Sequence, residues 1–122
     1  MLKLWALFIL MTISSVSLAN NCENPRNTYD DVYCINKVFH DADRDLNKSY
    51  AELRKHLTQS QKNTLKRSQL AWIKQRDANC SNEAQGMVFA QCNLDETTTR
   101  NLWLRERIRE CKTIGCQSKR LY

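Results

Sequence analysis

Ile35, Val38, Phe39, Ala42, Leu46, Tyr50, Leu53 and Leu57 recur at spacings of three and four residues. They predict one apolar stripe along about eight turns of helix. A helix that long and that one-sided must be covered along its length by other helices or sheets. Thr28 followed by Asp31 reads as its N-cap and N3 partner. The stripe stops at "HLTQSQ", where Thr58 followed by Gln61 is the signature of a capping box. A second helix is expected from there to about Cys80. "SNEAQGMVFAQCNL" has a glycine and no lasting period, and reads as a connecting loop. Asp95 or Thr97 then caps a third helix to about Cys111, its inner face carrying Asn101, Leu104, Ile108 and Cys111, with Arg100 beside them. Only two glycines and one proline occur, and no β-branched alternation is present. The expected fold is all-α, a small three-helix bundle.

Residues 1–19, "MLKLWALFILMTISSVSLA", place Lys3 before a long apolar run and end in the small residues Ser17 and Ala19. This is the layout of a secretory signal peptide. Polar Thr12, Ser14, Ser15 and Ser17 interrupt the run and argue against a lasting membrane span. Residues 20–122 then form a single domain, expected in the periplasm or outside the cell. Its six cysteines read as a disulfide framework. Eleven residues separate Cys22 from Cys34 and Cys80 from Cys92, and four separate Cys111 from Cys116. The spacing favours these local pairs. Bridged, they leave no thiolate nucleophile.

The chain carries 19 Lys and Arg against 13 Asp and Glu. Loss of Lys3 with the leader lowers the net charge from +6 to +5. Export makes nucleic acid an unsuitable partner for this charge; anionic envelope polymers, acidic proteins or no particular partner remain, a mildly basic solvated surface being the commonest case. No phosphate loop, HExxH element, serine–histidine set or zinc spacing occurs, and His40 and His56 stand alone. Neither an enzyme nor a metal or other cofactor is expected.

On a helical wheel "QLAWIKQRDANC" places Gln69 and Arg76 on the same side as Leu65, Trp72, Ile73 and Cys80. A buried guanidinium requires a partner. Antiparallel packing of the first two helices brings Asp43, at the edge of the first stripe, to Arg76. Gln69 then lies near Tyr50 or backbone, and Trp72 packs over the set. The expected arrangement is a structural polar network of Asp43, Tyr50, Gln69, Trp72 and Arg76 that fixes helix register. The alternative is a binding pocket built from the same groups.

These residues carry a resemblance. "CENPRNTYDDVYC", "DRDLNKSY", "SQLAWIKQRDANC" and "CNLDETTTR" together resemble the LprI-like lysozyme-inhibitor N-terminal domain family of small exported bacterial proteins. The most specific element, Q-x-x-W-x-x-x-R-D-x-x-C, falls on Gln69, Trp72, Arg76, Asp77 and Cys80. The family's Asp–Leu–Asn–Tyr run falls on Asp43, Leu46, Asn47 and Tyr50, and its Thr-x-x-Arg on Thr97 and Arg100. The resemblance implies a helical, disulfide-bonded domain and, for the name-giving member, lysozyme inhibition. The tail beyond Cys111 has no counterpart in it.

The implied partner is a protein, a lysozyme or other cell-wall hydrolase of a host or competitor. An envelope module holding anionic wall polymer through basic residues is the alternative. Two surfaces are candidates for partner binding. Met87, Val88 and Phe89 form an apolar run in the Cys80–Cys92 loop, which a bridge would pre-order. Trp103 lies off the third helix's inner face beside Arg107, and Trp and Arg are common interface anchors. Otherwise Val88 and Phe89 close the end of the bundle and Trp103 packs on the tail.

Overall fold

The computed structural model describes residue 22 and residues 24–122 apart from 83–86, with backbone alone at 82, 87 and 88. The signal-peptide reading of residues 1–19 lies outside the described residues. Three α-helices dominate: α1 (Thr28–Lys55), α2 (Gln59–Asn79) and α3 (Ala90–Thr113). None of the described helices is long and apolar enough to cross a membrane.

The α1 helix opens one residue earlier than the Thr28 cap predicts. Asn27 is the N-cap, its Oδ1 accepting from the Asp30 amide at 2.9 Å. Arg26 Nε donates to Asp30 Oδ2 at 2.9 Å and holds that carboxyl below its ordinary pKa. Thr58 and Gln61 form both halves of the capping box that opens α2. Here cap chemistry and the end of the apolar stripe point to the same residue, so the α1–α2 turn is the most legible feature of the fold.

The third helix departs from expectation. It begins at Ala90 rather than Asp95 or Thr97, with Phe89 as an N-cap that makes no side-chain bond. Disulfide geometry replaces the cap. The Cys80–Cys92 bridge ties the first turn of α3 to the end of α2, and the Phe89 amide donates to the Cys80 carbonyl at 2.8 Å. Thr97 is therefore interior to the helix and fully buried. Part of the expected loop is a short antiparallel bridge, with Ser81 opposite Val88 and Asn82 opposite Met87.

Side-chain pairing gives the topology. Asp43 meets Arg76, and Tyr50 and Gln69 share one groove wall, so α1 and α2 are antiparallel. Lys48 with Arg105, and Glu52 with Ile108, line a common depression, so α3 returns parallel to α1. The bundle is up-down-up. The backbones of α1 and α3 approach closely along their length, while α2 is joined mainly through long side chains.

The core is a column of leucines: Leu46, Leu53 and Leu57 from α1, Leu65 from α2 and Leu104 from α3, with Leu121 from the tail. Tyr50, Trp72, Trp103 and Ile108 pack against it. Val38, expected in the stripe, is exposed. It adjoins Phe39 in sequence, and the two point to different sides of the helix. The tail turns back at Gly115, whose φ of +97° suits a residue without a Cβ. The Cys111–Cys116 bridge then directs Leu121 into the core. Cys22–Cys34 fastens the chain ahead of α1. All three bridges join the pairs that the spacing favours.

Candidate functional site

Two features lie where the helices meet: a polar seam among the aromatic residues, and an open groove between α1 and α2. The seam is built around two arginines. Arg76, near the end of α2, donates to Asp77 Oδ1 through both Nε and Nη2 at 3.0 Å. Its Nη1 reaches Thr97 Oγ1 on α3 at 3.3 Å and Asp43 Oδ1 on α1 at 3.6 Å. One guanidinium thus bridges all three helices. Its planar face lies over Trp72 at 5.1 Å and Phe39 at 5.6 Å from the ring centroids.

The expected Asp43–Arg76 pair is present but is not sealed from water. The Asp43 side chain is 41% exposed, against 12% for Arg76. Asp77, adjacent in sequence, is the closer counter-ion. A residue next along a helix ordinarily points away, so the wheel gave no reason to select it.

Gln69 departs further from expectation. It bonds neither Tyr50 nor backbone; its Oε1 accepts from Arg100 Nε at 2.9 Å. Arg100 Nη2 donates to Ser68 Oγ at 2.9 Å, and the guanidinium lies 3.9 Å from the Trp103 ring centroid and 5.8 Å from that of Trp72. Burial lowers the Arg100 pKa to about 10. Arg100 is the seam's second centre, and the wheel placed it only beside the inner face. The resemblance to the Thr-x-x-Arg element was the available signal, since it fell on Thr97 and Arg100, the two α3 residues of the seam.

The groove lies on the other side of Gln69. Asn47, Tyr50 and Arg54 from α1, with Lys66, Gln69, Leu70 and Ile73 from α2, enclose about 400 Å³. The expected network therefore divides: Trp72 and Arg76 belong to the seam, Tyr50 lines the groove, and Gln69 faces both.

The two candidate partner surfaces also separate. Phe89 is exposed at the head of α3. The Met87 backbone pairs with Asn82, and its side chain lies outside the described residues. Arg107 is only 5% exposed, which corrects its placement on an outward face. Its Nη2 contacts Glu110 Oε1 at 2.9 Å and Glu106 Oε2 at 3.1 Å, beneath Arg120. Trp103 packs against the leucine core, between Arg100 and Arg107. Two arginine stems and the returning tail draw this side of α3 inward, an enclosure that one helical wheel cannot display.

Among the described residues no group of three His, Cys, Asp or Glu could hold a metal ion. A disulfide-fastened bundle, a cation-rich internal seam and an open inter-helix groove define a small helical disulfide-bonded domain. The match is more specific: the chain belongs to the lysozyme inhibitor LprI family, whose model covers residues 19–104. That span contains the seam and the groove, and excludes Arg107 and the tail. No curated protein and no solved structure matches the chain.

Proposed function

We propose that this protein is an exported, non-catalytic inhibitor of a lysozyme or another peptidoglycan-cleaving enzyme. The observation that carries the reading is membership of the lysozyme inhibitor family over residues 19–104. The side-chain arrangement is compatible with it. Both seam arginines are held by side-chain acceptors, Arg76 by Asp77 and Thr97 and Arg100 by Gln69 and Ser68, as expected of a scaffold, and the groove offers a surface to a partner. Phe89 is a second proposed contact, exposed beside the Cys80–Cys92 bridge. A host lysozyme and a competitor's wall-cleaving toxin are both candidate targets; against the latter the protein would act as an immunity protein. Wall-lysis assays with the oxidised domain, residues 20–122, test the proposal. Dose-dependent inhibition at a defined stoichiometry is expected. Absence of inhibition across lysozymes and bacterial wall hydrolases would reject it.

The runner-up is binding of anionic wall polymer. It is favoured by the charge of α2, where Lys62, Lys66, Arg67, Lys74 and Arg76 stand against Asp77 alone.

A further inference from the structure

We propose that the α1–α2 groove docks an acidic–apolar segment of the protein partner. An apolar side chain would seat against Leu70 and Ile73, with flanking carboxylates held by Arg54 and Lys66. The proposal rests on the inhibitor reading only for the partner's identity as a wall-cleaving enzyme.

Three observations meet at this groove. The first is apolar surface left open. Leu70 is 57% exposed, and with Ile73 it forms the apolar part of a cavity of about 400 Å³ between helices that elsewhere meet through seam residues. The second is a hydrogen-bonding side chain held in a fixed orientation at the groove wall. Gln69 is only 7% exposed, and its carbonyl is committed to Arg100. Its amide Nε2 makes no hydrogen bond among the described residues, nor does the Tyr50 hydroxyl. Arg100 fixes Gln69 in orientation, so the groove wall carries a pre-positioned donor.

The third observation is charge. Arg54 and Lys66 border the groove, and no carboxylate among the described residues lines it. Along α2, Lys62, Arg67 and Lys74 likewise make no ion pair among the described residues. The only acid of α2, Asp77, is taken by Arg76. Cations without counter-ions beside an apolar cleft complement carboxylates that flank an apolar side chain. A wall glycan fits less well. Sugar rings are commonly held on open aromatic faces, and Tyr50, the one aromatic residue here, has Arg54 5.8 Å from its ring centroid.

The test uses the ¹⁵N-labelled oxidised domain in nuclear magnetic resonance titrations. The probes are a blocked Glu-Asp-Leu-Phe-Asp-Glu peptide, its counterpart with lysine at every acidic position, and a muramyl disaccharide-peptide. The acidic peptide should shift the Gln69 side-chain amide and the backbone amides of Leu70 and Ile73. Leu70→Glu and Lys66→Glu, both at exposed positions, should each weaken that binding at least tenfold with the melting curve unchanged. Equal binding of the lysine peptide, stronger binding of the saccharide, shifts confined to another surface, or no shift at millimolar peptide would each overturn the proposal. Wall-lysis assays separate it from the broader reading. If both variants inhibit an enzyme as well as the unaltered domain does, the groove is refuted and the inhibitor reading stands. If the acidic peptide binds in the groove but no hydrolase is inhibited, the groove stands and the inhibitor reading falls.

Discussion

The Arg100 guanidinium lies 3.9 Å from the centroid of the Trp103 ring, one turn further along the same helix. Its hydrogen bonds go to neutral Gln69 and Ser68, and no carboxylate among the described residues is within ion-pair distance. A cation held by a ring face and two neutral acceptors gains geometric definition at a cost in desolvation. Arg100→Ala should destabilise the domain by about 2–4 kcal/mol, since it leaves two buried polar groups unpaired and removes the stacked stem. Replacing the set together, Arg100→Met with Gln69→Leu, should recover most of the loss. Urea melts decide this, and strictly additive losses would show that the two residues act independently.

The pH behaviour of the same group has a definite sign. Burial lowers the Arg100 pKa from its ordinary value to about 10 in the folded protein. The unfolded chain therefore binds that proton more tightly, and stability from this group rises only as pH climbs through and above about 10. At lower pH Arg100 is charged in both states. The difference in melting temperature between the unaltered protein and Arg100→Met should stay constant from pH 5 to 8. A clear slope would assign the effect to another titrating group.

Arg76 should show a different pattern. Asp43 is well exposed, and its contact with Arg76 is long at 3.6 Å. Asp43→Asn should therefore cost less than about 1 kcal/mol. Arg76→Ala should cost about 1–3 kcal/mol, because it also removes the Thr97 bond and the stacking on Trp72 and Phe39. In a double-mutant cycle the Asp43–Arg76 coupling should be a minor part of the total. A coupling equal to the whole Arg76→Ala loss would restore Asp43 as the main partner.

What the sequence disclosed follows from which interactions are local. The α1 stripe, the Thr58–Gln61 box and the three short bridges each depend on residues close in the chain, and all were legible. The start of α3 was not, because a disulfide and a backbone bond to Cys80 replace the side-chain cap that marks a helix start. The seam was half legible. Periodicity placed Gln69 and Arg76 inward, but their partners Arg100 and Thr97 lie on another helix, whose rotation no single wheel determines. The enclosure of Arg107 depends on the tail, for which neither periodicity nor family resemblance gave a guide.

That tail supplies the next test. Leu121 is 1% exposed and belongs to the leucine core, although only a short bridged turn connects it to α3. Leu121→Ala should destabilise by about 2–4 kcal/mol, as for other buried leucines. Replacing Cys111 and Cys116 together by alanine should lower stability and increase amide exchange at Leu121 first, because the bridge holds the tail's return path. Unchanged exchange there would show that Leu121 packing holds the tail without the bridge.

Salt dependence discriminates among the classes of partner. Without residues 1–19, read as a signal peptide, the chain carries +5, and Lys66 is exposed at the groove. A basic lysozyme meets this charge with long-range repulsion, which salt screens over a Debye length of about 8 Å near physiological ionic strength. Its complex must be held by apolar contact and shape, so added salt should leave inhibition unchanged or raise the association rate. Anionic wall polymer should bind in the opposite sense, weakening steadily as salt rises, with no fixed stoichiometry. An acidic hydrolase should also associate more slowly in salt, but it should saturate at a defined ratio and lose affinity with Lys66→Glu. Binding of the oxidised domain to a basic lysozyme, purified wall and an acidic hydrolase, each across a salt series, separates the three. Absence of lysozyme binding at every salt concentration would remove that enzyme as the target. Salt-insensitive binding to the acidic hydrolase, unaffected by Lys66→Glu, would remove the cationic groove as the docking surface.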